Sequence, residues 1–362
     1  MIESLRNKFV KERFDLQEIL LVPVFATVLA LLIGCFFLLA TGESFANIFV
    51  AYSSLFIGSL GSLNAISETF TAATPLVFAA LGIALAFRAG LFNIGAEGQM
   101  IIGGLATVIV GFSIDFLPIW IHLPLALSIG ALFGALYAAI AGWLKAYTGA
   151  HEVISTIMLN LIALRLLDYV LRSPIIQKEG RNDPISKSIL DSAELPQILA
   201  FIDPQLRLHG GFLLMLVAVF FIYWLLFHTT IGYEFRATGA NPNAAKYAGI
   251  KAGLTIVLVM AIAGALAGLA GANQITGVLG RASPGFSAGI GFDAIAVALL
   301  GRSHPIGVLF AGLLFGALIA GGRLMQVKAG VSVDLITIIQ ALIIVFIAAP
   351  LLIKKSLPWF FK

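Results

Sequence analysis

The sequence predicts an all-α polytopic membrane protein of about 10 transmembrane helices, and three observations carry that prediction. Long uncharged runs of Leu, Ile, Val, Phe, Ala and Gly recur along the chain, and 19–40 alone gives 22 residues without a charge. At about 1.5 Å per residue such a run crosses the ~30 Å hydrocarbon core of a bilayer. Hydrophobic residues are 60% of the 362 and charged residues 11%, against roughly 25% charged in soluble domains. The 37 glycines suit helices whose backbones approach closely in lipid.

Taken in order, the uncharged runs place helices near 19–40, 70–87, 94–114, 118–144, 151–171, 210–228, 253–275, 285–301, 304–322 and 333–353. Arg6, Lys8, Lys11 and Arg13 precede the first run, which is longer than the roughly 7–15 residues of a signal-peptide core and lacks a small-residue cleavage site. The first helix is therefore expected to be retained. With the N-terminus inside, 13 of the 22 basic residues fall on inner connectors, so both termini are expected to be cytoplasmic. The whole chain reads as one transmembrane permease domain, with a cytoplasmic segment 1–18, an extracytoplasmic loop 173–208 and a cytoplasmic loop 229–251.

Segment 45–70 interrupts this count because it mixes apolar stretches with Asn47, several serines and Glu68. A re-entrant or interfacial piece fits better than a full span, which would reverse everything downstream. Four spans precede the helix at 210–228 and four follow it, the first set starting outside and the second inside. That is the arrangement of two four-helix inverted repeats, which in transporters meet at a midplane site. The loop 173–208 has prolines at 174, 184, 196 and 204 and mixed charge; it is read either as a solvated loop or as a docking surface for an extracytoplasmic partner.

Polar groups inside apolar spans narrow the functional question. In the stretch FRAGLFNIGAEGQM, three glycines loosen the helix where one span ends and another begins, and Asn93 and Glu97, four apart, share a helix face. A buried carboxylate costs about 2.5–3.5 kcal/mol on insertion scales unless it meets a partner or a cavity. Glu97 is thus expected either to line a solute path or to pair with Arg88 or cap a helix. Glu152, Thr156 and Asn160 follow at spacings of four and point into the bundle. Phe92 offers an apolar surface for a ring-bearing solute. His151 sits at a span mouth, Arg165 and Asp168 read as an internal ion pair, and Asp293 and Asp334 have no assigned role. Gly130xxxGly134, Gly264xxxGly268 and Gly312xxxGly316 support packing only.

The inner loop 229–251 encodes a short, bounded helix. Asn241 can cap it, Pro242 suits its first turn, Ala244 to Ala248 favour helix and Gly249 can end it. A pre-ordered helix outside the membrane makes a stiff lever for a second protein. By contrast, the chain has no phosphate-binding loop, metal motif or nucleophile elbow, so no catalytic residue, metal or cofactor is expected. The lone Cys35 excludes an internal disulfide, and the net charge of +4 gives no reason to expect nucleic acid.

The stretches FRAGLFNIGAEGQMIIGG, HEVISTIMLNLIA, GYEFRATGANPNAAKYAGI and FDAIAVALLGRSHPIGVLFAGLLFGAL, in that order, together resemble the permease subunits of ABC importers in the branched-chain amino acid and simple-sugar superfamily. Nucleoside-uptake permeases are the most similar group. LFNIGAEGQ stands where sugar permeases of the superfamily carry a GGIDLSVGS-like segment, which favours nucleosides. The resemblance implies a bacterial inner-membrane, multi-pass subunit that imports a small polar solute. It also implies a separate ABC ATPase, a second permease identical or homologous to this one, and a substrate-binding lipoprotein. It places the ATPase contact at Arg236, Asn241, Ala244, Ala245 and Gly249; the polar faces themselves, independently of the resemblance, are expected to line the solute path at Phe92, Asn93, Glu97, Glu152, Thr156 and Asn160. A simple-sugar permease and an ion-coupled secondary transporter are the alternatives; a scaffold or channel has only the missing catalytic motifs in its favour.

Overall fold

The computed structural model describes residues 16–332 and 334–348. The described chain is helical apart from its connectors: α1 Leu16–Ala40, α2 Phe45–Leu60, α3 Leu63–Arg88, α4 Ala96–Ser113, α5 Ile119–Trp143, α6 Glu152–Leu171, α7 Gly211–His228, α8 Thr230–Ala240, α9 Pro242–Tyr247, α10 Ala252–Gln274, α11 Ile290–Leu300, α12 Pro305–Ala329 and α13 Asp334–Ala348. A π-helical turn extends α5 over Leu144–Thr148 and another extends α10 over Ile275–Leu279. Seven of these helices are long and apolar enough to cross a membrane, and α2, α11 and the described parts of α1 and α13 are shorter apolar helices.

Each run of the sequence has its helix, with two differences of substance. α3 begins at Leu63, where the Ser62 hydroxyl accepts the Ala65 amide at 3.1 Å, so the first long span starts earlier than 70 and segment 45–70 divides into α2 and the start of α3. The run 285–301 is a full span only by composition. Its helix, α11, has 11 residues and is about 16 Å long, roughly half the hydrocarbon core. Ala288 and Gly289, both at positive φ, break the backbone just before it.

Contacts divide the chain into two units, one of Ser54–Leu324 and one joining the chain up to Ser53 with the chain from Met325. In the second of these, α1 packs on α13, the Tyr52 hydroxyl donates to the Leu31 carbonyl at 2.7 Å and Asn47 Nδ2 donates to the Ala329 carbonyl at 3.0 Å. The N-terminal segment 1–15 and the tail beyond 348 lie outside the described residues.

In the larger unit α10 is central and packs on α5, α4 and α3. Gly130 and Gly134 of α5 meet Gly264 and Gly268 of α10 backbone to backbone, and Gly312 and Gly316 of α12 meet Val77, Thr69 and Ala73 of α3. Lipid removes the hydrophobic drive between helices, so close contact of this kind is what holds them together. The connector 173–210 is tied down by its backbone rather than freely solvated. Leu190 N–H donates to Gly111 O, Ile189 to Gly280 O, Leu195 to Thr276 O and Ser186 to Ala282 O, each at 2.9 Å. The Leu208 amide donates to the buried Ser67 hydroxyl at 3.0 Å. The bonds to Gly111 O and Thr276 O satisfy carbonyls at the end of α4 and in the π turn of α10 that their own helices leave open.

Candidate functional site

Two helix starts meet inside the larger unit. α4 begins at Ala96 after the irregular stretch 91–95, and α11 begins at Ile290 after 280–289. Glu97, 3% exposed, accepts the Gly291 amide on Oε2 at 2.7 Å and the Ser287 hydroxyl on Oε1 at 2.5 Å. The carboxylate therefore lies against the positive end of α11, where amides otherwise lack partners and the helix dipole favours negative charge. Both bonds are charge-assisted. Gly291 permits the approach, since a Cβ there would overlap the Glu97 backbone. Asp293, in the first turn of α11, lies within electrostatic reach of Glu97.

The other residues singled out by sequence gather around this entry to α4. Asn93 and Gln99 exchange amide hydrogen bonds at 3.1 and 3.0 Å, and Asn93 Oδ1 also accepts the Gly95 amide at 2.9 Å. Asn160 reaches across from α6. Its Oδ1 accepts the Gly98 amide at 2.8 Å and its Nδ2 donates to the Ile94 carbonyl at 2.9 Å, clamping both sides of the break. Thr156 bonds back to the Glu152 carbonyl at 2.8 Å and lies beside Gly95. Glu152, Thr156 and Asn160 all lie on the buried face of α6, but the Glu152 carboxylate pairs with Lys145 at 2.8 Å, at the π-turn end of α5. Phe92 is half-exposed and tilts against Phe87, with ring centroids 4.7 Å apart. Arg165 and Asp168 form a 4.0 Å pair, yet Arg165 is 89% exposed. The pair is external, because a spacing of three fixes a shared face and not which way that face turns.

At the opposite end of α10 from its π turn, α9 has the boundaries its sequence encodes. Asn241 Oδ1 accepts the Asn243 and Ala244 amides at 3.0 and 3.1 Å. Pro242 opens the first turn, and Gly249, at φ +85°, receives the chain after the helix and donates to Lys246 O. Ala244 is exposed and Ala245 is buried. In a six-residue helix one position must face the body, and here it is Ala245. The side chain that stands out instead is Tyr247, 95% exposed. In α8, Arg236 lies over the Phe227 ring at 5.5 Å, as Arg88 does at 5.8 Å, and Phe227 stacks on His304 at 5.3 Å. Burial and the Arg88 charge push the His304 imidazole down to about 4. Gly239 of α8 rests on the backbone of Arg88 and Ala89, so α8 touches the segment that leads to Glu97.

Residues 65–348 match the family described as branched-chain amino acid transport system, permease component. The chain belongs to this family. The permease is 40% identical to the guanosine ABC transporter permease protein NupP of Bacillus subtilis, over 92% of this chain and 94% of that one. It is 37% identical to the nucleoside ABC transporter permease protein NupB of Lactococcus lactis, over 93% of each. It is also 35% identical to the glucose ABC transporter permease protein TsgB13 of Haloferax volcanii, over 92% and 88%. No solved structure matches the chain. It is thus a multi-pass protein of the cytoplasmic membrane and a transport component.

Several structural partners in the permease carried no sequence signal that points to them. Ser287 and Gly291 lie 190 and 194 residues from Glu97, a pairing that only the tertiary fold reveals. Among the described residues no group of three or more His, Cys, Asp or Glu is placed to hold a metal ion.

Proposed function

We propose that this permease is the membrane-spanning subunit of an ATP-driven nucleoside importer, alternating access around the junction of α4 and α11 while a separate ABC ATPase hydrolyses ATP. The observation that carries it is the 40% identity to a guanosine permease across nearly the whole of both chains. The geometry supports the division of labour. α9 is a capped, exposed helix with Tyr247 on its surface, suited to be gripped by a partner, and α8 behind it packs on the stretch that leads to Glu97. On this proposal α9 and both termini face the cytoplasm, and the connector 173–210 faces a substrate-binding lipoprotein. The repeats α3–α6 and α10–α13 have inverted topology, and a second permease completes the path.

The polar atoms of Asn93, Glu97 and Asn160 are engaged within the chain, so these residues would shape the path by holding the broken helices in place. Phe92 presents its ring to the solute. An uncharged solute suits a junction whose buried carboxylate already has hydrogen-bond partners on both oxygens. The glucose permease relative supports a second reading, a sugar importer.

The test is uptake of radiolabelled guanosine, uridine and glucose by cells expressing the complete importer in a background lacking nucleoside uptake. Saturable nucleoside uptake that survives a protonophore and stops on ATP depletion is expected. Glucose uptake alone would establish the sugar reading, and collapse with the proton gradient at constant ATP would establish an ion-coupled carrier.

A further inference from the structure

Around Glu97 the buried polar atoms are matched, but a second cluster, near the π turn of α10, leaves its own unmatched. Asn273 is 1% exposed, and neither its Nδ2 nor its Oδ1 has a hydrogen-bond partner. Its amide lies against Gly211, the first residue of α7, where a Cβ would overlap it. His209, fully buried, adds a third unmatched atom. Its Nδ1 accepts the Gly211 amide at 3.3 Å, which leaves the proton on Nε2, and Nε2 has no partner. The ring lies on Gly277 of the π turn, and the nearby Thr276 hydroxyl is already committed to Ala272 O.

An apolar side chain at 273 would avoid the cost of these orphaned groups, since a buried polar group without a partner costs free energy that a hydrophobic replacement of similar size does not. A solute is a partner that comes and goes. We propose that Asn273 and His209 form a contact site for the transported solute, taking a donor–acceptor edge such as the N–H and C=O of a nucleobase. The carboxamide of Asn273 is complementary to such an edge, donating and accepting side by side as asparagine does on base edges, and His209 Nε2–H supplies one further donor. Phe212, next in the chain to Gly211, stacks flat on Phe70 at 4.9 Å and 7°, placing an aromatic surface beside the site. Burial and the Arg207 charge hold His209 at about 4, so it meets the solute as a neutral donor. The site rests on the importer assignment proposed above, and it lies toward the end of the bundle where the connector 173–210 docks.

The experiment compares wild type with Asn273→Leu and Asn273→Ala in the complete importer, measuring guanosine uptake and the thermal midpoint of the purified complex. The smaller variant covers the case in which Leu crowds Gly211. A solute contact predicts that kcat/KM for uptake falls about 5- to 100-fold with the thermal midpoint unchanged or raised in at least one variant, because an unmatched polar group has been removed. Uptake within twofold of wild type, or losses that appear only with a lowered midpoint in both variants, overturns the proposal. If wild type imports glucose and not guanosine, the nucleoside assignment fails while the same two variants test the site with glucose.

Discussion

The Gly291 amide donates to the Glu97 carboxylate at 2.7 Å, so the acidic residue that opens α4 caps α11 from 194 positions earlier in the chain. The contact holds the starts of α4 and α11 against each other, with the Gly291 backbone directly on that of Glu97. Gly291→Ala puts a methyl group onto the Glu97 backbone, which cannot rotate away as a side chain can. The expected cost is about 1–3 kcal/mol or more of overpacking, read as a lower thermal midpoint and less monodisperse protein in size-exclusion chromatography. A midpoint equal to wild type would mean the helices part easily.

Substitutions at Glu97 should be graded. Gln can still accept from Gly291 and donate to Ser287, losing only the charge, so Glu97→Gln is expected to cost about 1 kcal/mol. Ala leaves both groups unmatched, and Glu97→Ala is expected to cost at least about 2–4 kcal/mol. Thermal unfolding of the two variants checks the order. If Glu97→Gln abolishes uptake at full stability, the carboxylate itself contacts solute.

Asn160 bonds on both sides of the break before α4, to Ile94 O and Gly98 N. Asn160→Leu keeps the branched shape, though with more bulk, and removes both bonds, stranding two backbone groups in a buried setting, and should cost about 2–4 kcal/mol. Asn160→Asp keeps the Gly98 acceptor but turns a carboxylate toward a carbonyl, and should be at least as damaging. Midpoints for the two variants, measured in the same detergent, decide this.

Span positions were legible because length and apolarity are local properties, and α9 was legible because Asn241, Pro242 and Gly249 act within a few residues of themselves. The stripe Glu152, Thr156, Asn160 was legible as a buried face by its spacing, though not that Glu152 would be met by Lys145. α11 was misjudged in length because Ser287, Ala288 and Gly289 carry no charge and so extend an apolar run that the backbone interrupts. The outward turn of Arg165 and the inward turn of Ala245 depend on which neighbours the fold supplies. His209 and Asn273 gave no signal, since an isolated His or Asn in an apolar stretch looks the same whether or not its hydrogen bonds are met.

Tyr247 is the outstanding side chain of α9 and Ala245 its anchor. Tyr247→Ala should leave the permease folded and inserted while reducing ATPase co-purification and uptake about tenfold or more, as truncation of an exposed aromatic anchor does at an interface. Ala245→Asp should act differently, burying a charge under α9 and lowering stability. Equal co-purification of ATPase with wild type and Tyr247→Ala would remove α9 from the interface.

Acid should weaken the fold through two histidines. His209 and His304 lie outside the membrane-spanning helices and are both held at about 4, below the ordinary 6.5. Burial is the larger cause for each, with the Arg207 charge adding to it at His209 and the Arg88 charge at His304. Between those values the unfolded chain binds protons that the folded one does not, so stability is full above 6.5 and falls as pH drops toward 4. The loss by pH 5 is on the order of 2 kcal/mol for each residue. Gln in place of either residue keeps a polar side chain without a titrating ring. The thermal midpoint of wild type is therefore expected to fall between pH 7.5 and 5, by less in His209→Gln or His304→Gln, and least in the double variant. An equal acid-induced fall in all four proteins would show that neither imidazole is held neutral by the fold.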